Sequence, residues 1–143
     1  MQALNLTDFP LKTFDKLRYG DTDRQGHINN AVFSTFLETG RVELLINADP
    51  PILSEGASFV IASLKLNFIK EMKWPGQVDI GTGIIRIGSS SITIYQKLFQ
   101  NGVTVADAET VIVQVDDKQA KSKPLSDEAK ATLNNWFIKK EEV

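Results

Sequence analysis

Residues 17–45, LRYGDTDRQGHINNAVFSTFLETGRVELL, join a polar loop to the longest helical pattern in the chain. Glycine, Asp and Asn crowd the first half of this stretch, and these residues favour loops and turns. From Asn30 onward the apolar residues recur at steps of three and four, which places them on one face of a helix. Asn29 or Asn30 is predicted to cap this helix, and Pro50-Pro51 prevents its continuation beyond Asp49. The stretch therefore predicts one long helix whose apolar face needs a second layer to cover it.

The second layer is predicted from the residues after Gly56, where the apolar period shortens from that of a helix to that of a strand. Breaks in the alternation fall at Trp74-Pro75-Gly76, Gly88-Ser89 and the hairpin-favouring pair Asn101-Gly102. Residues 58–116 are expected to form a four-stranded antiparallel meander, and residues 12–19 a further strand. Since glycine inside a helix costs about 1 kcal/mol relative to alanine, we interpret Gly40 as a point of close packing against this sheet.

A second helix start lies near the C-terminus. Ser126 is predicted to cap it, and Leu133, Trp136 and Phe137 are expected to form its packing stripe. Together these patterns predict a single α+β domain over residues 1–143, in which a five-stranded antiparallel sheet wraps a long central helix and a short helix ends the chain. Because such a sheet leaves edge strands that can pair with a second copy, we expect a dimer.

Composition excludes several classes of function. The chain has 143 residues, a formal net charge of -2, no cysteine and one histidine, so disulfides, thiolate zinc sites and histidine-rich metal sites are ruled out. The charge balance gives no general attraction to nucleic acid or to an anionic membrane. No apolar run approaches the ~18 residues of a membrane span, and no secretory signal pattern is present. We therefore expect a cytoplasmic protein without a bound metal or cofactor.

The loop before the long helix concentrates the polar chemistry of the chain. It holds Asp21, Asp23, the single His27, Asn29 and Asn30. The first turn of a helix has N–H groups without intrahelical partners and a partial positive charge, which would polarise a carbonyl oxygen placed there. A carboxylate just upstream could attack that carbonyl or deprotonate a water. The residues alone leave a second interpretation open, in which they only shape the turn and cap the helix.

The order of these residues resembles the acyl-CoA thioesterases of the hotdog fold, the 4-hydroxybenzoyl-CoA thioesterase-like family. The family signature is approximately R-aromatic-x-D-x-D-x-x-G-H-V-N-N-x-x-Y, followed by a helix with an acidic residue and an arginine. Its places are filled here by Arg18-Tyr19, Asp21, Asp23, Gly26-His27-Ile28-Asn29-Asn30, Phe33, Glu38 and Arg41. The resemblance extends over about residues 12–130, and the hotdog fold it implies agrees with the architecture predicted above.

The resemblance implies the roles of the site residues. Asp23 matches the catalytic aspartate, acting as nucleophile or as general base toward water. The N–H of Asn30 matches the group that receives the thioester carbonyl oxygen, and Gly26 permits the approach. His27 would orient water, the carbonyl or Asp23. The thioester would lie between two subunits of a homodimer or homotetramer, with coenzyme A as a leaving group rather than a cofactor.

The remaining candidates are less sharply defined. Glu38 is interpreted either as a catalytic group that positions water or as a plain helix charge paired with Arg41. Substrate contacts are expected from residues in the loop, the helix and the fourth strand, namely Gly26, Asn29, Phe33, Ser90 and Ser91. Many relatives carry a basic residue just before these serines where this chain has Ser89, so an acyl carrier protein is an alternative carrier to coenzyme A. The apolar candidates for the pocket do not indicate whether the acyl group is short, long or aromatic. These candidates are Phe33, Phe36, Phe59 and Ile61.

Two further hypotheses compete with the thioesterase. Hotdog dehydratases of 3-hydroxyacyl thioesters also place a histidine in the loop and an acid on the helix, but they resemble Gly-His-Phe-Pro, and this chain has no such proline. A protein that binds acyl thioesters without turnover would keep the fold, although it would have little reason to keep both Asp23 and Gly26-His27. The sequence therefore favours hydrolysis of an acyl thioester.

Overall fold

The computed structural model describes residues 4–23 and 26–139. Its strands and helices are, in chain order, β1 (Leu11–Lys16), α1 (Phe33–Leu45), β2 (Ala57–Phe68), β3 (Gln77–Ile87), β4 (Ser91–Gln100), β5 (Val103–Asp116) and α2 (Asp127–Leu133). A 3₁₀ turn, Asn30–Val32, leads directly into α1. The predicted architecture of a long helix, a five-stranded antiparallel sheet and a short C-terminal helix is confirmed.

The order of the strands corrects one prediction. The sheet runs β1-β3-β4-β5-β2, so β3, β4 and β5 form a meander, whereas β2 pairs with β5 at the far edge. The expected meander over residues 58–116 was wrong because β2 and β3 are joined by residues 69–76 rather than by a tight turn. This connection is bonded at Met72 and Trp74 to the loop before α1, and therefore carries the chain across the sheet instead of folding it back.

The helix begins where the sequence predicted and ends earlier. Asn29 Oδ1 accepts the N–H of Ala31 at 2.9 Å, which confirms the N-cap. The last helical residue is Leu45, although the prolines would have allowed the helix to reach Asp49. Asn and Asp favour turns over helix interiors, so Asn47 and Asp49 account for the earlier end. The first strand is likewise shorter than residues 12–19, because Tyr19–Asp21 forms a 3₁₀ turn.

The core lies between α1 and the sheet. Phe33, Phe36, Leu37 and Leu44 of the helix are each at most 2% exposed, and the helix packs mainly over β1, β3 and β4. Gly40 is the point of closest approach, since a Cβ there would lie 2.5 Å from Thr82 Oγ1. The close packing predicted for Gly40 is confirmed.

Two glycines of β3 are also sites of close packing. A Cβ at Gly81 would meet the ring of Phe9, and one at Gly83 would meet Pro10 and Ile138. The predictions for the β4–β5 hairpin and for α2 are confirmed. Asn101 and Gly102 both have positive φ, at 53° and 78°, as a tight hairpin requires. Ser126 Oγ accepts the N–H of Ala129 at 3.0 Å and caps α2, and Leu133 is fully buried with Trp136 and Phe137 packed around its cluster.

Strand β2 is an edge strand with an apolar surface. Four of its apolar side chains are 40–52% exposed, namely Val60, Ile61, Leu64 and Phe68. Since α1 packs mainly over the opposite half of the sheet, a groove opens between α1 and β2. Among the described residues, no helix is both long and apolar enough to cross a membrane.

Candidate active site

Asp21 holds the loop in shape. The residue is 5% exposed, and its carboxylate accepts the backbone N–H of Arg18 at 2.9 Å and the Arg18 Nη2–H at 3.1 Å. Its carbonyl oxygen accepts the N–H of Asn29 at 2.8 Å, directly at the helix start. Both ends of the loop are therefore tied to this one residue, and its carboxylate is occupied by Arg18.

Asp23 is exposed and lies in a tight turn with His27. The Asp23 N–H donates to the His27 carbonyl at 2.8 Å, and Asp23 Oδ1 accepts the His27 N–H at 3.3 Å. Gly26 closes the turn with a φ of +78°, a conformation that strains any residue with a Cβ. The carboxylate is thus oriented by backbone geometry while it stays open to solvent.

The connection between β2 and β3 supports the other side of this turn. Ile28 N–H donates to the Met72 carbonyl at 2.8 Å, and Trp74 N–H donates to the Gly26 carbonyl at 3.3 Å. The side chain of His27 reaches the same segment, where its Nε2 lies 3.3 Å from Glu71 Oε2. Glu71 was not predicted as a site residue. No sequence signal joins it to His27, because the contact depends on the path of residues 69–76 across the sheet.

The helix start presents a backbone donor. Within the first turn, Asn29 takes the N–H of Ala31 through its side chain and the N–H of Val32 through its carbonyl, each at 2.9 Å. The turn provides no acceptor for the N–H of Asn30, the first residue of the 3₁₀ segment. This donor lies at the positive end of the helix dipole, where it can stabilise a developing oxyanion.

A cavity of about 350 Å³ brings these groups together. Four of the predicted residues line it, namely Asp23, His27, Asn30 and Phe33. The rest of the wall comes from Ile28 and from the end of β2 and its connection, Phe68, Ile69, Lys70 and Glu71. The rings of Phe33 and Phe68 meet edge to face at 5.1 Å and form an apolar side. The cavity therefore combines two carboxylates, a backbone donor, an imidazole and an ammonium group beside an apolar wall.

Gly26 and Asn29 support this cavity from outside its wall, through the turn and the cap described above. Glu38 is exposed and lines a different cavity, farther along α1. Of the apolar candidates, Phe36 belongs to the core, whereas Phe59 and Ile61 line that second cavity with Glu38.

Ser90 and Ser91 lie at the opposite end of the sheet within one copy. They form the turn into β4, where Ser91 O accepts the N–H of Gly88 at 2.8 Å. The other end of β4 is near the site, because Gln100 Oε1 accepts the N–H of Lys73. The ten residues of the strand separate the two ends by roughly 30 Å. One copy alone therefore does not bring these serines to Asp23.

Loss of the Asn29 cap should affect both stability and the site. We expect Asn29→Ala to lower the free energy of unfolding by about 1 kcal/mol, the usual cost of an N-cap. Asn29 fixes the helix start that presents Asn30, and the resemblance implies that the Asn30 N–H receives the thioester carbonyl oxygen, so turnover of a thioester should fall as well. Urea denaturation and thiol-release assays measure the two effects.

Ser126→Ala provides the matched control, since Ser126 caps α2 far from the cavity. It should cost a similar free energy of unfolding without lowering turnover, and Asn29→Asp should restore both properties of the first cap. An equal loss of turnover in Asn29→Ala and Ser126→Ala would show that the Asn29 effect is one of stability alone.

Comparison with known proteins identifies the family. Residues 17–133 match the family model of the thioesterase-like superfamily. The acyl-CoA thioester hydrolase YbgC of Escherichia coli is 24% identical over 114 residues, which cover 77% of this chain and 85% of YbgC.

Solved structures agree with this assignment. A predicted thioesterase from Bacillus stearothermophilus superposes with a TM-score of 0.82 at 29% identity, covering 91% of this chain and 98% of that one. A Thermus thermophilus thioesterase, solved in complex with coenzyme A and Zn, has the same fold, with a TM-score of 0.77 at 23% identity over 89% of this chain and 94% of its own. The prediction of a hotdog-fold thioester hydrolase is confirmed, and the chain belongs to the thioesterase-like superfamily.

Proposed function

We propose that this protein hydrolyses an acyl-CoA thioester. Asp23 acts as the base or nucleophile, and the Asn30 N–H stabilises the oxyanion. The observation that carries the proposal is that an exposed carboxylate and a helix N-terminal donor line one cavity of about 350 Å³. A thioester carbonyl with its oxygen at Asn30 would face the Asp23 carboxylate. The named activity of YbgC and the coenzyme A bound to the Thermus protein support the choice of an acyl-CoA.

The reaction adds water across the C–S bond. In one route Asp23 takes a proton from water, whose oxygen attacks the carbonyl carbon. In the other, the carboxylate itself attacks and forms an anhydride that water then opens. In both routes the negative charge develops on the carbonyl oxygen at Asn30, the C–S bond breaks, and the thiolate leaves and gains a proton. A single turnover in oxygen-18 water tests the covalent route. Label in the Asp23 carboxylate would establish it, because water that opens the anhydride at the Asp23 carbonyl leaves its oxygen there, whereas the base route labels only the product acid.

We assign supporting roles to the other groups in the cavity. His27, held by Glu71 at 3.3 Å, orients the water or the carbonyl. Lys70 is exposed and lines the cavity, and its ammonium group suits the phosphates of coenzyme A. Glu38 lines the second cavity, so we assign it no catalytic role at Asp23 of the same copy.

We further propose that the working unit contains two copies joined through β2. This edge strand has twelve residues, and its free edge offers unpaired backbone groups beside exposed apolar side chains. Antiparallel pairing of two β2 strands would place the Ala57 end of one beside the Phe68 end of the other. Ser91 lies in the row of Val113 and Val60, near the Ala57 end. Such a dimer would bring Ser90 and Ser91 of the second copy toward the cavity beside Phe68.

A charge on the free edge should separate the copies. We expect Leu64→Glu to convert a dimer to a monomer in analytical ultracentrifugation, because the carboxylate would be buried without a partner. Thiol release should fall with it if the substrate lies between copies. Val103→Glu is the control, since Val103 is similarly exposed, at 44%, and lies at the β4–β5 turn. A dimeric Leu64→Glu protein would show that β2 is not the interface.

Release of free thiol from a panel of acyl-CoAs tests the proposed function. Short, long and aromatic acyl groups belong in the panel, with the matching acyl carrier protein thioesters beside them. We expect hydrolysis of at least one acyl-CoA. Hydrolysis of the carrier-protein thioesters alone would move the assignment to that carrier, and tight binding of acyl-CoA without hydrolysis would indicate a binding protein.

A further inference from the structure

A second cavity lies between α1 and β2, beyond the one that holds Asp23. It has a volume of about 180 Å³. Most of its wall is apolar, made by Val42, Leu45, Ile46, Phe59, Ile61 and Ile112, and its two charged residues are Glu38 and Arg41. Ligand pockets commonly have this composition, an apolar wall with a few polar groups directed at one point.

Arg41 is the unusual member of this wall. The residue is 6% exposed, and its Nη1 is buried without a hydrogen-bond partner in the described structure. Burial lowers the pKa of the Arg41 guanidinium, while the charge of Glu38 raises it. A guanidinium remains protonated in either environment. An unused donor on a buried cation is costly, and native proteins usually satisfy such groups with a partner or a ligand.

The Arg41 cavity lies farther along α1 than the cavity in which the reaction is proposed. Both cavities lie between the same two elements, since the first is lined by Phe33 and Phe68 and the second by Arg41 and Ile61. Arg41 lies eleven positions after Asn30, which corresponds to about 16 Å along the helix axis. An acyl chain with its carbonyl at Asn30 would therefore need to extend along most of this length of α1 to enter the Arg41 cavity, and a single aromatic ring would fall short.

We propose that the Arg41 cavity binds the far end of a long acyl chain and selects chains that end in a neutral oxygen, such as a hydroxyl or keto group. This inference rests on the proposed function and names its substrate class. The apolar wall accommodates the methylene chain, and Arg41 supplies a hydrogen bond that a plain alkyl chain cannot use.

Glu38 sets the preference for a neutral oxygen over a carboxylate. It lies three residues before Arg41 on α1, and both residues line the same cavity, so its negative charge acts on whatever binds at the guanidinium. A neutral oxygen can accept the Arg41 hydrogen bond without repulsion, whereas a ligand carboxylate would be repelled by Glu38. Glu38 lies outside the first cavity, so it would affect which acyl chain binds rather than the hydrolysis step.

The test compares dodecanoyl-CoA with its terminal hydroxyl and terminal carboxyl derivatives. We expect kcat/KM to be about tenfold or more higher for the hydroxyl chain than for the plain chain, the range of a hydrogen bond to a charged group. Arg41→Met should bring that ratio near one, whereas Arg86→Met, a change at an exposed arginine of β3, should keep it. Glu38→Gln should raise the relative rate of the carboxyl chain, and it keeps the proposal testable if Arg41→Met does not fold.

Three results would overturn the inference. The first is equal kcat/KM for plain and hydroxylated chains in the wild-type protein. The second is a best substrate with a single aromatic ring. The third is an Arg41→Met protein that becomes monomeric and loses activity on both chains alike, which would assign the guanidinium to the contact between copies. Calorimetric binding of 12-hydroxydodecanoate against dodecanoate needs no turnover, so it separates a failure of this inference from a failure of the proposed hydrolysis.

Discussion

Asp23→Asn should lower the rate of thiol release by at least about a hundredfold while the protein stays folded, because an amide can act neither as base nor as nucleophile and general-base catalysis contributes roughly 10²–10⁴. The geometry predicts that Asn at this position leaves the fold unchanged. Asp23 is exposed, and the hydrogen bond that its Oδ1 accepts from the His27 N–H at 3.3 Å suits an amide oxygen equally well. The measurement is thiol release from one acyl-CoA by the wild-type protein and the variant. Urea denaturation of the same samples shows whether the variant is folded.

Asp21→Asn is the matched comparison, two residues earlier in the same loop. Its carboxylate is buried and bonded to Arg18, so its replacement should mainly lower the free energy of unfolding, by about 1–3 kcal/mol. Turnover per folded molecule should fall much less than in Asp23→Asn. If Asp23→Asn were fully active, or if Asp21→Asn lost more turnover than Asp23→Asn at an equal folded fraction, the assignment of Asp23 would be wrong.

The sequence predicted the elements of the fold well because each carries its own local signal. Asn29 and Ser126 cap helices in the structure, the positive φ angles of Asn101 and Gly102 form the expected hairpin, and Gly40 packs against the sheet. The caps and the hairpin depend only on residues that are neighbours in the chain. Gly40 was informative because glycine is unfavourable inside a helix unless the backbone packs closely there. The place of β2 in the sheet depends on a long connection, and no local pattern distinguishes pairing with β3 from pairing with β5.

The same distinction applies to the candidate site. Asp23, His27, Asn30 and Phe33 lie within eleven consecutive residues, so the loop and helix bring them together without help from the rest of the fold. Glu71 and Lys70 reach the cavity only because residues 69–76 cross the sheet there, which could not be predicted from spacing. Ser90 and Ser91 were predicted by resemblance, but one copy places them at the other end of β4. Only the proposed dimer would bring the serines of a second copy toward the cavity.

Gly40→Ala should destabilise the protein, although the same substitution inside an exposed helix stabilises it by about 1 kcal/mol. The added Cβ would lie 2.5 Å from Thr82 Oγ1, 2.6 Å from Gln96 Nε2 and 2.8 Å from Ile80 Cγ2. These neighbours have little freedom to move. Gln96 is fully buried, and its Nε2 donates to the Leu37 carbonyl at 2.9 Å and to Thr82 Oγ1 at 3.0 Å.

The overpacking therefore outweighs the gain in helix propensity. Core overpacking typically costs about 1–3 kcal/mol, so we expect the free energy of unfolding measured in urea to fall by a similar amount. Thr35→Ala, at an exposed position of the same helix, should be neutral or slightly stabilising. The loss in Gly40→Ala should shrink in a Thr82→Ala background, which removes the nearest clash. A stabilised Gly40→Ala protein would mean that α1 can move away from the sheet, and the position of Asn30 at its start would then not be rigidly set by the core.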